Sequence, residues 1–244
     1  MENTVKPQGT NPATASRRNF LKISGLTLAG TGLLLAGCNN DDDGNGPSSN
    51  QLPGIRNGKF DLGGGDFGIL TYAYALEQLE ADFYTKVVND PGFGSFSEEA
   101  KDVLTDIYKH EVIHREFFKA TLTGALPAEN VLPALAFAYA GVNFGNETSV
   151  LQTAAVLEDT GVSAYNGAGS YISEAAYLVI AGQIVSVEAR HASAIRDLLN
   201  PNSIDFASTA DANGLDPAQD PSAIISAVGS LGLITTPFTA TFLP

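Results

Sequence analysis

The stretch that decides the fold is AYLVIAGQIVSVEARHASAI, residues 176–195. Its apolar residues recur at spacings of three and four, which is typical of one face of an α-helix. On that face the apolar series is interrupted by a carboxylate and an imidazole, Glu188 and His191. Burying either group without a partner is costly, and a metal ion would offset that cost. The stretch therefore predicts a core helix that carries metal ligands.

The same interruption occurs a second time, nearer the middle of the chain. Val103, Ile107 and Phe118 define an apolar helix face that also carries Glu111 and His114. A carboxylate and an imidazole three residues apart project from one face within a turn, so both can reach one ion. A single Glu-x2-His pair is common on solvated helix faces. Two such pairs inside apolar faces indicate a buried site.

Two further helical stretches share a different pattern, Glu-x6-Tyr. Glu77 and Tyr84 are seven residues apart, and Glu158 and Tyr165 have the same separation. In chain order the sequence reads Glu-x6-Tyr, Glu-x2-His, Glu-x6-Tyr, Glu-x2-His, which is an internal repeat. The repeat predicts one glutamate on each of four helices and one histidine on each of two.

The four helical stretches are joined by two short turns and one long connection. The periodicity predicts helices at 66–89, 98–122, 147–168 and 171–199. Asp90-Pro91-Gly92 and Gly167-Ala168-Gly169-Ser170 are tight turns, whereas residues 123–146 are numerous enough to run the length of a bundle. This connectivity predicts an all-α fold, a four-helix bundle with one long crossover.

The ordered pattern of helices and ligands resembles the ferritin-like di-iron and di-manganese carboxylate proteins. Residues 76–84 are most similar to the desiccation-related branch of that superfamily. The resemblance covers residues 66–199 and implies a ferritin-like four-helix bundle in that part of the chain.

The resemblance also implies a set of metal ligands and a cofactor. The cofactor would be two Fe or Mn ions, and the implied ligands are Glu77, Glu111, His114, Glu158, Glu188 and His191. Glu111 and Glu158 would be among the bridging or chelating groups. Glu80 is the alternative to Glu77 in the first helix, since it lies one turn away.

The N-terminal residues 1–37 are interpreted as a processing signal. Arg17-Arg18-Asn19-Phe20-Leu21-Lys22 is similar to a twin-arginine export signal, and Leu35-Ala36-Gly37-Cys38 is similar to a bacterial lipobox. The resemblance implies export to the bacterial cell envelope or periplasm, with a lipid on Cys38 as the membrane anchor.

Two segments flank the predicted bundle. Residues 38–65 are rich in Asp, Asn, Gly, Pro and Ser, and this composition predicts a flexible tether. Residues 200–244 contain no Lys or Arg, and their only helical periodicity is at 223–231. They are predicted to form an irregular C-terminal extension packed on the bundle.

The composition of the chain excludes several classes of binding partner and of functional site. The chain has 27 acidic and 13 basic residues, a net charge of −14, which argues against nucleic-acid binding. Cys38 is the only cysteine, so disulfides, thiolate zinc sites and cysteine nucleophiles are excluded. Any metal must be held by oxygen and imidazole.

Three functions fit these residues. The first is a redox enzyme with a dinuclear Fe or Mn site whose partner is a small-molecule oxidant, by peroxide disproportionation or ferroxidase chemistry. The second is a non-catalytic protein that sequesters metal ions or protects the envelope during drying. The third is a zinc hydrolase, because residues 110–114 match His-Glu-x-x-His. The sequence leaves enzymatic activity and a homo-oligomeric state open.

Overall fold

Four long helices form the bundle that the periodicity predicts. The structure is a computed structural model and describes residues 50–201, 203 and 205–244. The long helices are α1 (Gly65–Asn89), α2 (Glu98–Ala125), α3 (Glu147–Gly169) and α4 (Ala175–Leu199). The strands are β1 (Gly54–Arg56), β2 (Lys59–Asp61) and β3 (Phe238–Thr239), and a fifth α-helix is α5 (Pro221–Leu231). Short 3-10 helices lie at Pro91–Ser95, Ala128–Asn130 and Asp205–Ala207. No helix in the described ranges is long and apolar enough to cross a membrane.

Local caps fix where two of the long helices begin. The Ser97 hydroxyl accepts a hydrogen bond from the Ala100 N–H at 3.2 Å, and the Asn146 side chain accepts one from the Ser149 N–H at 2.8 Å. The Glu147 carboxylate accepts from the N–H of Ser97 at 2.7 Å, so the first turns of α2 and α3 are tied together. In the bundle α1 packs on α2 and α3, and α4 packs on α3 and α2.

The fourth helix begins at Ala175, four residues later than predicted. The backbone N–H groups of Ser173 and Glu174 donate to the Asp66 carboxylate at 2.8 and 2.9 Å instead of starting a helix. The Glu174 side chain then accepts from the Ala176 N–H at 3.2 Å and caps α4. The start of α4 is therefore set by a residue of α1.

Helix α1 is the central helix, because every residue from 68 to 81 is buried. The crossover between α2 and α3 covers one side of it. Gln78 donates to the Pro133 carbonyl at 3.3 Å and accepts from the Leu135 N–H at 2.8 Å. The Tyr139 hydroxyl then donates to the Leu79 carbonyl at 3.2 Å. The long connection thus runs along α1, as a ferritin-like bundle requires.

The prediction of a flexible tether up to residue 65 is wrong for its last part. β1 and β2 form an antiparallel hairpin, and β3 from the C-terminal end pairs in parallel with β2. Asn57 and Gly58 form the two-residue turn with φ of 51° and 76°, the left-handed values that an Asn-Gly hairpin needs. Phe60 and Leu62 are buried, so the hairpin also has an apolar side.

The C-terminal extension packs on the bundle and is partly helical. Helix α5 contacts α3 and buries Ile224 and Val228. Before it, the Gln219 N–H donates to the Ser163 carbonyl at 3.1 Å, and the Asn166 side chain donates to the Pro217 carbonyl at 3.2 Å. The extension therefore crosses α3 at close range before α5 begins.

Replacing Gly167 with alanine is expected to destabilise the fold. A Cβ at Gly167 would overlap the backbone of Gln219, whereas one at Gly182, in α4, would meet nothing within 4 Å. Overpacking of this kind costs roughly 1–3 kcal/mol. Gly182→Ala should instead add up to about 1 kcal/mol of helix stability. Urea unfolding of the parent and of both variants measures the free energy of unfolding. If Gly167→Ala were as stable as Gly182→Ala, the extension would not dock on α3.

Candidate metal centre

The six predicted ligands converge in the middle of the bundle. α1 supplies Glu77, α2 supplies Glu111 and His114, α3 supplies Glu158, and α4 supplies Glu188 and His191. All four carboxylates are 0% exposed, and the two histidines are 8% and 4% exposed. On each helix the ligands lie on the apolar face, which the periodicity predicts to be buried in the core. The structure thus brings together every residue of the predicted set.

Four of these residues form a first group around His114. The Nδ1 atom of His114 lies 2.9 Å from Oε1 of Glu188, 3.5 Å from Oε2 of Glu77 and 3.6 Å from Oε2 of Glu111. One ligand atom from each residue lies within 4.8 Å of the others. This spacing suits four ligands of one ion.

A second group forms around His191. Its Nδ1 atom lies 2.9 Å from Oε1 of Glu111, 3.3 Å from Oε2 of Glu158 and 3.3 Å from Oε2 of Glu188. Glu111 and Glu188 belong to both groups, and each directs one oxygen to His114 and the other to His191. Those two glutamates could therefore contribute ligand atoms to both groups. Glu158 belongs to the second group only.

The donor atoms of the two groups lack hydrogen-bond partners, although several are close together. The unpartnered buried atoms include both oxygens of Glu111 and Glu188, Oε2 of Glu77 and of Glu158, and Nδ1 of both histidines. Nδ1 of each histidine lies close to carboxylate oxygens but forms no hydrogen bond with them. Buried polar atoms are normally satisfied, so eight convergent unpartnered atoms indicate a ligand between them. The donor set fits metal ions.

The two tyrosines of the repeat orient the glutamates across the bundle. The Tyr84 hydroxyl, from α1, donates to Oε1 of Glu158 in α3, and the Tyr165 hydroxyl, from α3, donates to Oε1 of Glu77 in α1. Each hydrogen bond leaves Oε2 of its glutamate directed at a histidine group. The Glu-x6-Tyr repeat therefore provides two hydrogen bonds between α1 and α3, each from the tyrosine of one helix to the glutamate of the other.

A family model described as a ferritin-like domain matches residues 65–201, from the start of α1 to just beyond α4. The chain belongs to the ferritin-like family. No curated protein matches the sequence. The match covers all four helices that supply the two groups, and it agrees with the one-crossover connectivity.

The pKa values in this ferritin-like centre reflect mutual contacts between buried acids and bases. Burial alone would lower the pKa of His191, but its contacts with Glu111, Glu158 and Glu188 raise it to about 12. Burial raises the pKa of Glu158 to about 7 despite His191. Burial would also raise that of Glu188, but both histidines hold it at about 2. Without metal, the histidines therefore carry protons.

Glu80, the alternative first-helix ligand, lies outside both groups. It is 3% exposed, and its Oε2 atom has no hydrogen-bond partner. A Cβ on Gly161 would lie 3.1 Å from its Oε1 atom, so Glu80 faces α3 beside that glycine. Burial, together with the centre's glutamates, raises its pKa well above the usual range. The geometry favours Glu77 as the ligand from α1.

His110 is an exposed residue that touches the centre from outside. Its Nδ1 atom lies 2.9 Å from Nε2 of His191, and the two rings are stacked with centroids 5.1 Å apart. His191 thus turns Nδ1 to the carboxylates and Nε2 to His110. His110 belongs to neither ligand group among the described residues, so the geometry does not support His110 and His114 as joint zinc ligands.

Replacing His110 with alanine is expected to weaken metal binding without abolishing it. The change removes the partner of Nε2 in His191, and the loss of such a support typically costs roughly 10- to 100-fold in affinity. Competition with a chromophoric chelator measures the affinity. Ile113→Ala, at a position 61% exposed on the same helix, is the control. Affinity equal to the parent's would show that His110 does not position His191.

Proposed function

We propose that this ferritin-like chain holds two Fe or Mn ions and is a redox enzyme that handles peroxide or O2 or oxidises metal. The observation that carries the proposal is the pair of four-residue groups that share Glu111 and Glu188. Four carboxylates supply four negative charges to two divalent ions, and each ion gains one imidazole. Oxygen-rich ligation of this kind favours Fe or Mn over Zn.

The residues of the chain provide a rigid and dry setting for that chemistry. The ligands stand on four packed helices, and all are at least nine-tenths buried. Tyr84 and Tyr165 fix the orientation of Glu158 and Glu77, and such outer contacts tune ligand basicity. Two Fe or Mn ions held there would supply one-electron redox steps toward O2 or peroxide.

The proposal includes a location. Arg17 and Arg18 support export through the twin-arginine route, and Cys38 supports a lipid anchor in the bacterial envelope. These residues lie outside the described part of the chain. The similarity of residues 76–84 to the desiccation-related branch supports a protective role in the same compartment. Membrane fractionation of Cys38→Ala and of the parent tests the anchor.

The function is tested by metal content and turnover together. The parent should contain about two Fe or Mn per chain, by the ligand count of such bundles. When loaded, it should evolve O2 from hydrogen peroxide or oxidise Fe(II) faster than free metal. Glu111→Ala and Glu158→Ala should lose that activity, because each removes a ligand. Glu116→Ala, at an exposed position on α2, is the matched control.

The turnover measurement distinguishes a redox enzyme from a protein that only sequesters metal. A fully loaded parent that shows neither reaction above free metal contradicts the redox proposal. The burial of the whole centre then favours a protein that sequesters metal. A single zinc ion that is retained in Glu188→Ala and lost in His110→Ala would contradict both functions and favour a hydrolase.

A further inference from the structure

A cavity of about 210 Å³ lies between α1 and the C-terminal extension. Its inner wall includes Tyr72, Ala75 and Leu76 of α1, which are buried, and its rim includes Gly229 of α5 and Pro237, which are exposed. The family model ends at residue 201, so the rim is built by a part of the chain outside that match. None of the six candidate ligands, all in the described part of the chain, lines the cavity. It is therefore separate from the metal centre.

The wall of this cavity is mostly apolar and carries no charge. Ile225 and Ile234 contribute aliphatic side chains to it, and Phe238 contributes an aromatic one. Within the described ranges no Asp, Glu, Lys, Arg or His lines it, although the chain has a net charge of −14. An ion would lose its hydration there without gaining a counter-ion, which is costly. The cavity therefore selects an uncharged guest.

Tyr72 supplies a hydrogen-bond donor that the fold does not use. Tyr72 is 2% exposed, and its hydroxyl has no hydrogen-bond partner among the described residues, whereas buried polar atoms are normally satisfied. Burial raises the pKa of Tyr72 above its usual range, so the hydroxyl stays protonated and can donate. The other hydroxyl in the wall, that of Thr236, already accepts a hydrogen bond from the Ala136 N–H at 2.7 Å. The Tyr72 hydroxyl is thus left for a ligand with an acceptor oxygen.

A small organic molecule suits this cavity better than water does. A buried water typically makes roughly two to four hydrogen bonds, and the neighbours of Tyr72 in the wall, Ala75 and Leu76, offer it no side-chain partner. The volume of about 210 Å³ is also many times the roughly 10–15 Å³ that one water needs. It is smaller than the roughly 300–1,000 Å³ of pockets for drug-sized ligands.

We propose that this cavity is a binding site for a small uncharged carbonyl compound, such as an aromatic ketone, whose oxygen accepts a hydrogen bond from Tyr72. The apolar body of such a molecule would be removed from water against Ile225, Ile234 and Phe238, which is favourable. Since the ligand would contact both α1 and the extension, its binding should stabilise the docked extension. The site goes beyond the proposed function and needs no metal.

Three test compounds of similar size separate the contributions of the wall and of the hydroxyl. Acetophenone carries a carbonyl oxygen, α-methylstyrene has a methylene group in its place, and benzoate is charged. The parent should bind acetophenone more tightly than α-methylstyrene and should not bind benzoate. Titrations followed through the methyl signals of Ile225 and Ile234 in ¹H–¹³C NMR spectra measure the affinities and locate the site. Unchanged signals with acetophenone, or binding of benzoate at least as tight, would overturn the proposal.

Tyr72→Phe tests the hydroxyl alone. The variant should weaken acetophenone binding by roughly 2- to 13-fold, which corresponds to one net hydrogen bond, and should leave α-methylstyrene binding unchanged. The fold should persist, because the hydroxyl has no partner to lose. Equal affinities of the parent and the variant for acetophenone, or equal weakening of both compounds, would contradict the role given to Tyr72.

Gly229→Leu tests the cavity itself. A Cβ at Gly229 would meet no atom within 4 Å, and leucine favours a helix more than glycine does, so the variant should fold and fill the rim. It should abolish the binding of acetophenone and of α-methylstyrene. Gly124→Leu, at an exposed position on α2 where a Cβ also meets nothing within 4 Å, should bind both as the parent does. Unchanged binding in Gly229→Leu would place the compounds outside this cavity and refute the proposal.

Discussion

Replacing Glu188 with glutamine is expected to leave the protein unable to hold either metal ion. Its Oε1 atom faces His114 at 2.9 Å, and its Oε2 atom faces His191 at 3.3 Å. Glutamine keeps the shape of the side chain, but it removes the negative charge and turns one of the two oxygens into a donor. Metal content after dialysis should fall from about two per chain to near zero.

Two further glutamine variants test whether the loss of both ions is specific to Glu188. Glu77 and Glu158 each belong to one group only, so Glu77→Gln and Glu158→Gln should each retain one ion. Circular dichroism shows whether the helices persist in every variant. If Glu188→Gln kept one ion while Glu77→Gln lost both, the assignment of Glu188 as the shared ligand would be wrong.

The bundle and its six converging residues could be predicted because their signal is local. A carboxylate and a histidine three residues apart share a helix face whatever the rest of the chain does. Glu111 and His114, and likewise Glu188 and His191, illustrate this. The interruption of an apolar face indicated burial, and the repeat indicated that four such faces meet.

The contacts between helices could not be predicted in the same way. The family resemblance implied Glu111 and Glu158 as bridging or chelating groups, whereas in the structure Glu111 and Glu188 are the residues that each turn one oxygen to His114 and the other to His191. The relative rotation of the helices decides which oxygens face both histidines. The contact of His110 with His191 joins residues 81 apart, and no pattern within either helix specifies it.

The small sheet contains one strand that the sequence could not predict and a hairpin that it could have predicted. The Thr239 hydroxyl donates to Asp61 at 2.7 Å across a separation of 178 residues, and a strand as short as β3 has no detectable periodicity. The hairpin itself carried a local signal, since Asn57-Gly58 between short strands is typical of a two-residue turn. The polar composition of residues 38–65 obscured it.

In the metal-free protein, pH should act on the centre through the groups whose pKa values are raised. Glu158 has a pKa of about 7 in the fold against an ordinary 4.5, and His191 about 12 against 6.5. At a pH below its ordinary pKa, each group contributes its full stabilisation to the folded state. That contribution is lost as the pH rises through the folded pKa, because the folded state binds the proton more tightly than the unfolded chain. The metal-free fold should therefore lose stability from about pH 5 upward.

Metal binding should respond to pH in the opposite direction. An ion needs Glu158 ionised and His191 neutral, so its uptake releases protons and strengthens as the pH rises. The difference in Tm between the loaded and the metal-free protein is thus expected to widen from about pH 5 to about pH 8. Differential scanning calorimetry at matched ionic strength measures it. Glu158→Gln, which should retain one ion, should lack the part of the change centred near pH 7, because glutamine does not titrate. A difference in Tm that stayed constant with pH would mean that the ions do not displace protons from these residues, and that they bind elsewhere.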